Sequence, residues 1–139
     1  MNIQLLYEVQ ERPWGGVNSF FRNFRKYAAQ KDQVTLVDSP SRADIILTVG
    51  NYAGPGEKLS SRRLWWLSKC RGINWSSVPS GPLRHAKSKI LFRLDGLRKI
   101  YTGSWNSSDK LLVRNLQFAD RTFHLLISST VNSNFDEIV

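Results

Sequence analysis

The run Ile45-Ile46-Leu47-Thr48-Val49 limits what this chain can fold into more than any other stretch. Successive side chains on a strand point to opposite faces, so an almost unbroken apolar run needs cover on both sides. A parallel sheet with helices on both faces supplies that cover. Ser39-Pro40-Ser41 interrupts the chain before the run, and Gly50, Gly54, Pro55 and Gly56 close it with a loop. Four further segments read as strands: Ile3 to Val9, Gln33 to Val37, Lys89 to Leu94 and Thr122 to Ile127.

Helical patterns stand between them. Val17, Phe20, Phe21, Phe24, Tyr27 and Ala28 fall at i, i+3, i+4, i+7, i+10 and i+11, one face of a helix, with Arg22, Asn23, Arg25 and Lys26 opposite. Lys58 to Lys69 predicts a short helix. Asn106-Ser107-Ser108-Asp109 gives an N-cap with an acid three residues on, and Leu112, Leu116 and Ala119 keep helical spacing after it. Ser128-Ser129-Thr130 opens a last helix with Val131, Phe135 and Ile138. Arg71 to Lys89, with Gly72, Pro79, Gly81 and Pro82, has no period and reads as a long loop. Strands alternating with helices predict an α/β fold, a Rossmann-like three-layer sandwich around a mainly parallel sheet of about five strands. Ligands of such sheets bind beyond the carboxyl ends of the strands. Gly15-Gly16, the Gly50 loop, Asp95-Gly96 and Ser128-Ser129 are all expected on that edge.

The turn Arg12-Pro13-Trp14-Gly15-Gly16 joins the first strand to the aromatic helix. Pro13 stiffens the approach, and the glycines leave N–H groups uncovered at a helix start, where phosphate is attracted. An ordinary strand-to-helix connection has the same appearance, and both readings stand. Charge adds a second signal. The chain of 139 residues has a net charge of +9, but Lys58 to Lys99 alone holds 11 Lys and Arg against Asp95, and the remainder nets −1. So local an excess suits a surface that meets phosphate, lipid headgroups or nucleic acid, or a solvated basic face. Within it Arg62, Arg63, Trp65, Trp66 and Lys69 combine aromatic rings with cations. That is the composition of an interfacial membrane helix, and equally of a helix whose apolar residues cover the sheet.

Other classes are excluded or unsupported. One cysteine, Cys70, excludes an intramolecular disulfide, and His85 has no second ligand at metal-site spacing, so no metal is expected. Met1 leads straight into a strand-like run without a basic leader, and no apolar run approaches the ~20 residues of a membrane span. A cytoplasmic single domain is the expectation, with 41% hydrophobic and 22% charged residues fitting a globular chain.

Pro13-Trp14-Gly15-Gly16-Val17-Asn18 and the aromatic helix after it resemble the N-terminal half of a retaining glycosyltransferase of the two-Rossmann-domain (GT-B) type, family 4-like or group 1. Ser41-Arg42-Ala43-Asp44 is similar too. So is Arg93-Leu94-Asp95-Gly96, followed in the same order by Tyr101-x-Gly103, Asn115 and Ala119-Asp120. The resemblance covers residues 1 to 120 and rests on order and spacing together. It implies half of a GT-B fold. This half would receive an acceptor, a sugar or a lipid-linked one, and a donor-binding half would hold a nucleotide-sugar, with no other cofactor. It gives Gly15 and Gly16 the donor-diphosphate loop, Arg93, Asp95 and Gly96 the cleft floor, and Tyr101 and Asn18 the acceptor side. It implies inactivity for residues 1–139 alone; peripheral attachment at the inner face of a membrane is an expectation from the basic, Trp-bearing segment, not from the resemblance. The sequence departs from the family at Phe92, where a histidine is usual, and at Leu125-Leu126, where a Gln-Ser pair is usual. It ends at Val139 without a second Rossmann half, so a donor-binding domain is expected to be absent. A basic α/β nucleic-acid-binding module is the rival reading, without a recognised nucleic-acid motif to carry it.

Overall fold

The computed structural model describes residues 1–11, 15–70, 88–94 and 102–124. In chain order these give β1 (Asn2–Leu5), α1 (Gly15–Ala28), β2 (Thr35–Leu36), β3 (Ile45–Thr48), β4 (Tyr52–Gly54), β5 (Glu57–Lys58), α2 (Ser61–Cys70), β6 (Lys89–Leu94), α3 (Ser107–Asn115) and β7 (Arg121–His124). Five strands form one parallel sheet in the order β2-β1-β3-β6-β7, with Ile3 opposite Ile45, Leu47 opposite Leu91 and Phe92 opposite Thr122. The fold is the expected Rossmann-like α/β sandwich.

The apolar run of β3 sits at the centre for the reason its composition implies. Ile46 faces one core with Leu6, Leu59, Leu64, Ile90, Phe92 and Leu112, and so lies under α2 and α3. Leu47 faces the other with Ile3, Tyr7, Phe21 and Val49, under α1. Adjacent residues thus enter two separate cores, and the sheet becomes the middle of three layers. The aromatic stripe of α1 packs as its spacing predicts: Phe21 is fully buried and stacks on Tyr7, with centroids 4.6 Å apart.

The structure differs from the sequence reading at element ends. Regular pairing of β1 stops at Leu5, although the Leu6 N–H still donates to the Leu47 carbonyl (2.8 Å). The run Gln33 to Val37 keeps only Thr35–Leu36 as strand, because it lies at the sheet edge with one neighbour. The segment read as a loop after Gly50 contains a small antiparallel hairpin, β4–β5, that places Lys58 in a strand. The helix read from Lys58 therefore starts at Ser61, where the Ser60 hydroxyl accepts from the Arg63 N–H (3.2 Å). Asn106 is the N-cap expected, its side chain accepting from the Asp109 N–H (2.8 Å). The loop 71–87, His85, Asp95-Gly96, Tyr101, Pro13-Trp14 and the segment after His124 lie outside the described residues.

Gly50 closes β3 in a left-handed conformation (φ 78°). A Cβ built there would stand 2.5 Å from two ring carbons of Phe92 and 2.9 Å from Leu112 Cδ1. Gly56, also left-handed (φ 81°), has open space around it. Gly56→Ala is therefore expected to cost about 1 kcal/mol of conformational strain. Gly50→Ala is expected to cost about 2–4 kcal/mol, because overpacking adds to the strain. Denaturant melts of the two variants should show that difference, and equal losses would contradict the packing described.

Candidate functional site

A chain that leaves β1 for one side of the sheet and β3 for the other opens a crevice between their carboxyl ends. In this sheet β1 leads to β2 on one side, and β3 leads to β6 on the other. The residues that meet at this edge come from the start of α1, the end of β6 and the loops after β1 and β3.

The start of α1 is open. Gly15 has φ 60°, and a Cβ there would meet nothing within 4 Å. Only glycine adopts that angle without strain, so Gly15 starts the helix abruptly, and neither glycine adds a side chain over its first turn. Gly16 has an ordinary φ, and a Cβ there would meet only Arg93 Nη2, at 4.0 Å. Both glycines are exposed, and the first turn of α1 has no acidic residue.

Arg93 reaches this turn from the far end of β6. Along β6, Ile90 and Phe92 face α2 and α3, so Leu91 and Arg93 face α1. The Arg93 side chain is buried, its Nη1 donates to the Gly16 carbonyl (3.3 Å), and its guanidinium lies 4.6 Å from the Phe20 ring centroid. A buried cation is tolerated only with such partners, and a cation–π contact away from water contributes about 2 kcal/mol. Two residues 77 positions apart, separately singled out in the sequence, thus form one unit. The unit combines a fixed cation with the positive end of a helix dipole. Phe20, read in the sequence as a core position, also supplies the face on which Arg93 rests.

Asn18 is fully buried one turn further on. Its Oδ1 accepts from the Gln10 N–H and its Nδ2 donates to the Gln10 carbonyl, both at 2.9 Å. The side chain thereby fixes the β1–α1 loop against the helix that follows. Gln10 carries no sequence signal for this, since only its backbone takes part. On the other side of the crevice, the Glu8 N–H donates to the Ala53 carbonyl (2.6 Å), which seats the β4–β5 hairpin on the end of β1. The Tyr52 hydroxyl meets that of Ser108 (2.6 Å) and ties the same hairpin to α3.

Asn115, noted in the sequence only for its place in the motif order, is a buried hub. Its Nδ2 donates to the Gly50 carbonyl (2.5 Å) and the Leu59 carbonyl (3.1 Å), and its Oδ1 accepts from the Ser61 hydroxyl (2.6 Å). Phe92, at the position where the resembled family has histidine, is fully buried in the core against Gly50. It points to the opposite face from Arg93 and fills the space over the β3 turn.

The structure does not bring Arg62, Arg63, Trp65, Trp66 and Lys69 to this edge. They project from α2, on the other side of the sheet from α1, and all five are exposed. No group of three or more His, Cys, Asp or Glu side chains placed to hold a metal occurs among the described residues. No family model matches the chain, and neither a curated protein nor a solved structure matches it.

The Asn18 clamp makes a specific prediction. Asn18→Ala strips two backbone groups of Gln10 of these partners and is expected to cost about 1–3 kcal/mol. Asn18→Asp keeps the acceptor but sets an oxygen against the Gln10 carbonyl, and should cost as much despite its matching shape. Thermal melts measure both costs. Faster amide exchange at Gln10 in both variants, with α3 unaffected, would localise them to the loop.

Proposed function

We propose that the chain is the acceptor-side Rossmann domain of a retaining glycosyltransferase that uses a nucleotide-sugar as donor. The observation that carries this reading is the convergence of the Gly15-Gly16 turn and Arg93 at the carboxyl edge of the sheet. In sugar transfer the anomeric carbon exchanges its bond to the diphosphate for a bond to the acceptor oxygen, and the acceptor's proton passes to the leaving diphosphate. Negative charge develops on that diphosphate as its bond breaks. Fixed N–H dipoles and a buried guanidinium stabilise such charge without having to reorganise. Gly16, with no side chain, lets a phosphate approach the backbone closely.

One sheet supplies one wall of a cleft. Holding donor and acceptor in reacting geometry can be worth about 7–11 kcal/mol, and that needs a second, donor-holding wall. Turnover by residues 1–139 alone is therefore not expected. A lipid-linked acceptor would place the reaction at the inner face of a membrane. No helix among the described residues is long and apolar enough to cross a membrane.

The reading is tested on the wall itself. Amide chemical shifts of the isotope-labelled 139-residue chain are followed while nucleoside diphosphates and nucleotide-sugars are added. Saturable shifts are expected at Gly15, Gly16 and Val17. Gly16→Val should weaken binding about tenfold or more, equivalent to 1.4 kcal/mol. A Cβ at Gly16 would meet only Arg93 Nη2, at 4.0 Å, so Gly16→Ala should leave the melt nearly unchanged and separates loss of binding from loss of fold. Saturation with no shift at the α1 start, or full binding by Gly16→Val, would overturn the assignment.

A further inference from the structure

The outer face of α2 answers a different question from the sheet edge, and it rests on none of the residues assigned to the diphosphate. Helix α2 spans Ser61–Cys70. Leu64 is fully buried in the core beneath it, and Leu67 packs against the same core. Arg62, Trp65, Trp66 and Lys69 stand at i, i+3, i+4 and i+7, which is one stripe of a helix. They lie on the side away from Leu64. Trp65 is 50% exposed and Trp66 55%. Cover for the sheet is supplied by Leu64 and Leu67, while each tryptophan leaves about half of its surface exposed.

Two adjacent indoles in water are unfavourable and rare on a surface without a partner. Here they occupy the middle of the stripe, with a cation one turn before and one turn after. Arg63 lies off the stripe and reaches Glu57 (3.9 Å), the one ion pair found among the described residues. Lys58 on β5 and Lys110 and Arg114 on α3 are also exposed, and within the hairpin, α2 and α3 themselves the acids are Glu57 and the buried Asp109. The helix needs no partner in order to fold. The Ser61 hydroxyl donates to Asn115 and accepts from Arg114 Nε (2.9 Å), and Leu64 anchors the first turns.

We propose that this face docks on an anionic membrane surface. The two indoles would enter the headgroup layer while Arg62 and Lys69 meet lipid phosphates on either side. Charge complementarity selects the lipid, and the shape of the surface selects a membrane over a nucleic acid. The tryptophans project from the outer face of a helix with a cation one turn before and one turn after, the arrangement of a helix that lies on a plane. Single strands are held instead in a groove that follows their backbone.

The test uses the full 139-residue chain and sedimentation with two kinds of vesicle. One is phosphatidylcholine alone, and the other is phosphatidylcholine mixed in equal parts with phosphatidylglycerol. Binding to the mixed vesicles is expected, falling with added salt, with much weaker binding to the neutral ones. Arg62→Gln with Lys69→Gln should weaken it by roughly thirtyfold, the loss expected when two cations are removed from an anionic surface. Trp65→Ser with Trp66→Ser should do at least as much, while the melt of both double variants stays close to that of the parent. No binding, equal binding to neutral vesicles, or unaltered binding by the variants would overturn the proposal. Tighter binding of a single-stranded oligonucleotide than of mixed vesicles, lost in the same variants, would also overturn it and assign the face to nucleic acid.

Discussion

Burial of β3 on both faces is the constraint from which the rest follows. Ile46 and Leu47 are neighbours, yet they enter cores on opposite sides of the sheet. A strand so placed has no solvent to satisfy its backbone, and its N–H and C=O groups must pair with β1 and β6. Parallel pairing aligns the carboxyl ends of all three strands along one edge. The turn into α1, the turn at Gly50 and the end of β6 then meet there without any local signal that they should. Their meeting at one edge is thus a by-product of the way an apolar core forces parallel strands together.

The irregular segments at that edge are held by buried polar side chains. Asn18 fastens the loop after β1, Asn115 fastens the turn after β3 to the start of α2, and Arg93 fastens the end of β6 to the start of α1. Thr48 adds a link within the crevice, its hydroxyl donating to the Leu6 carbonyl (3.3 Å). Each has the same physical origin. Backbone leaving a sheet loses its ladder partners, and where it stays buried a side-chain amide, hydroxyl or guanidinium must replace them. These contacts are directional, so they fix positions that apolar packing alone would leave loose.

The two basic features of the molecule differ in kind. At the sheet edge a buried guanidinium is combined with the open end of a helix, an arrangement suited to one small anion in a fixed orientation. On α2 the cations are exposed and spaced along a stripe beside two indoles, an arrangement suited to an extended surface. The sheet separates them. The two proposed roles, a phosphate at the edge and a membrane at the helix face, therefore use separate surfaces of the molecule.

What the sequence determined by itself was everything that depends on neighbours along the chain. The apolar run of β3, the aromatic stripe of α1, the Asn106 cap and the glycines that open α1 each declare themselves within a dozen residues, and the five strands and their mainly parallel pairing follow from alternation. Short elements escaped, because the β4–β5 hairpin around Pro55-Gly56 has too few residues for a period to show. Only the tertiary structure decided what crosses from one element to another. It set Arg93 under Gly16 and onto Phe20, gave Asn18 the backbone of Gln10, packed Phe92 over Gly50, and turned Trp65 and Trp66 outward while Leu64 went in. The reason is physical. A residue type states what a side chain can bond to, but its partner is chosen by burial and chain topology, which no local stretch contains.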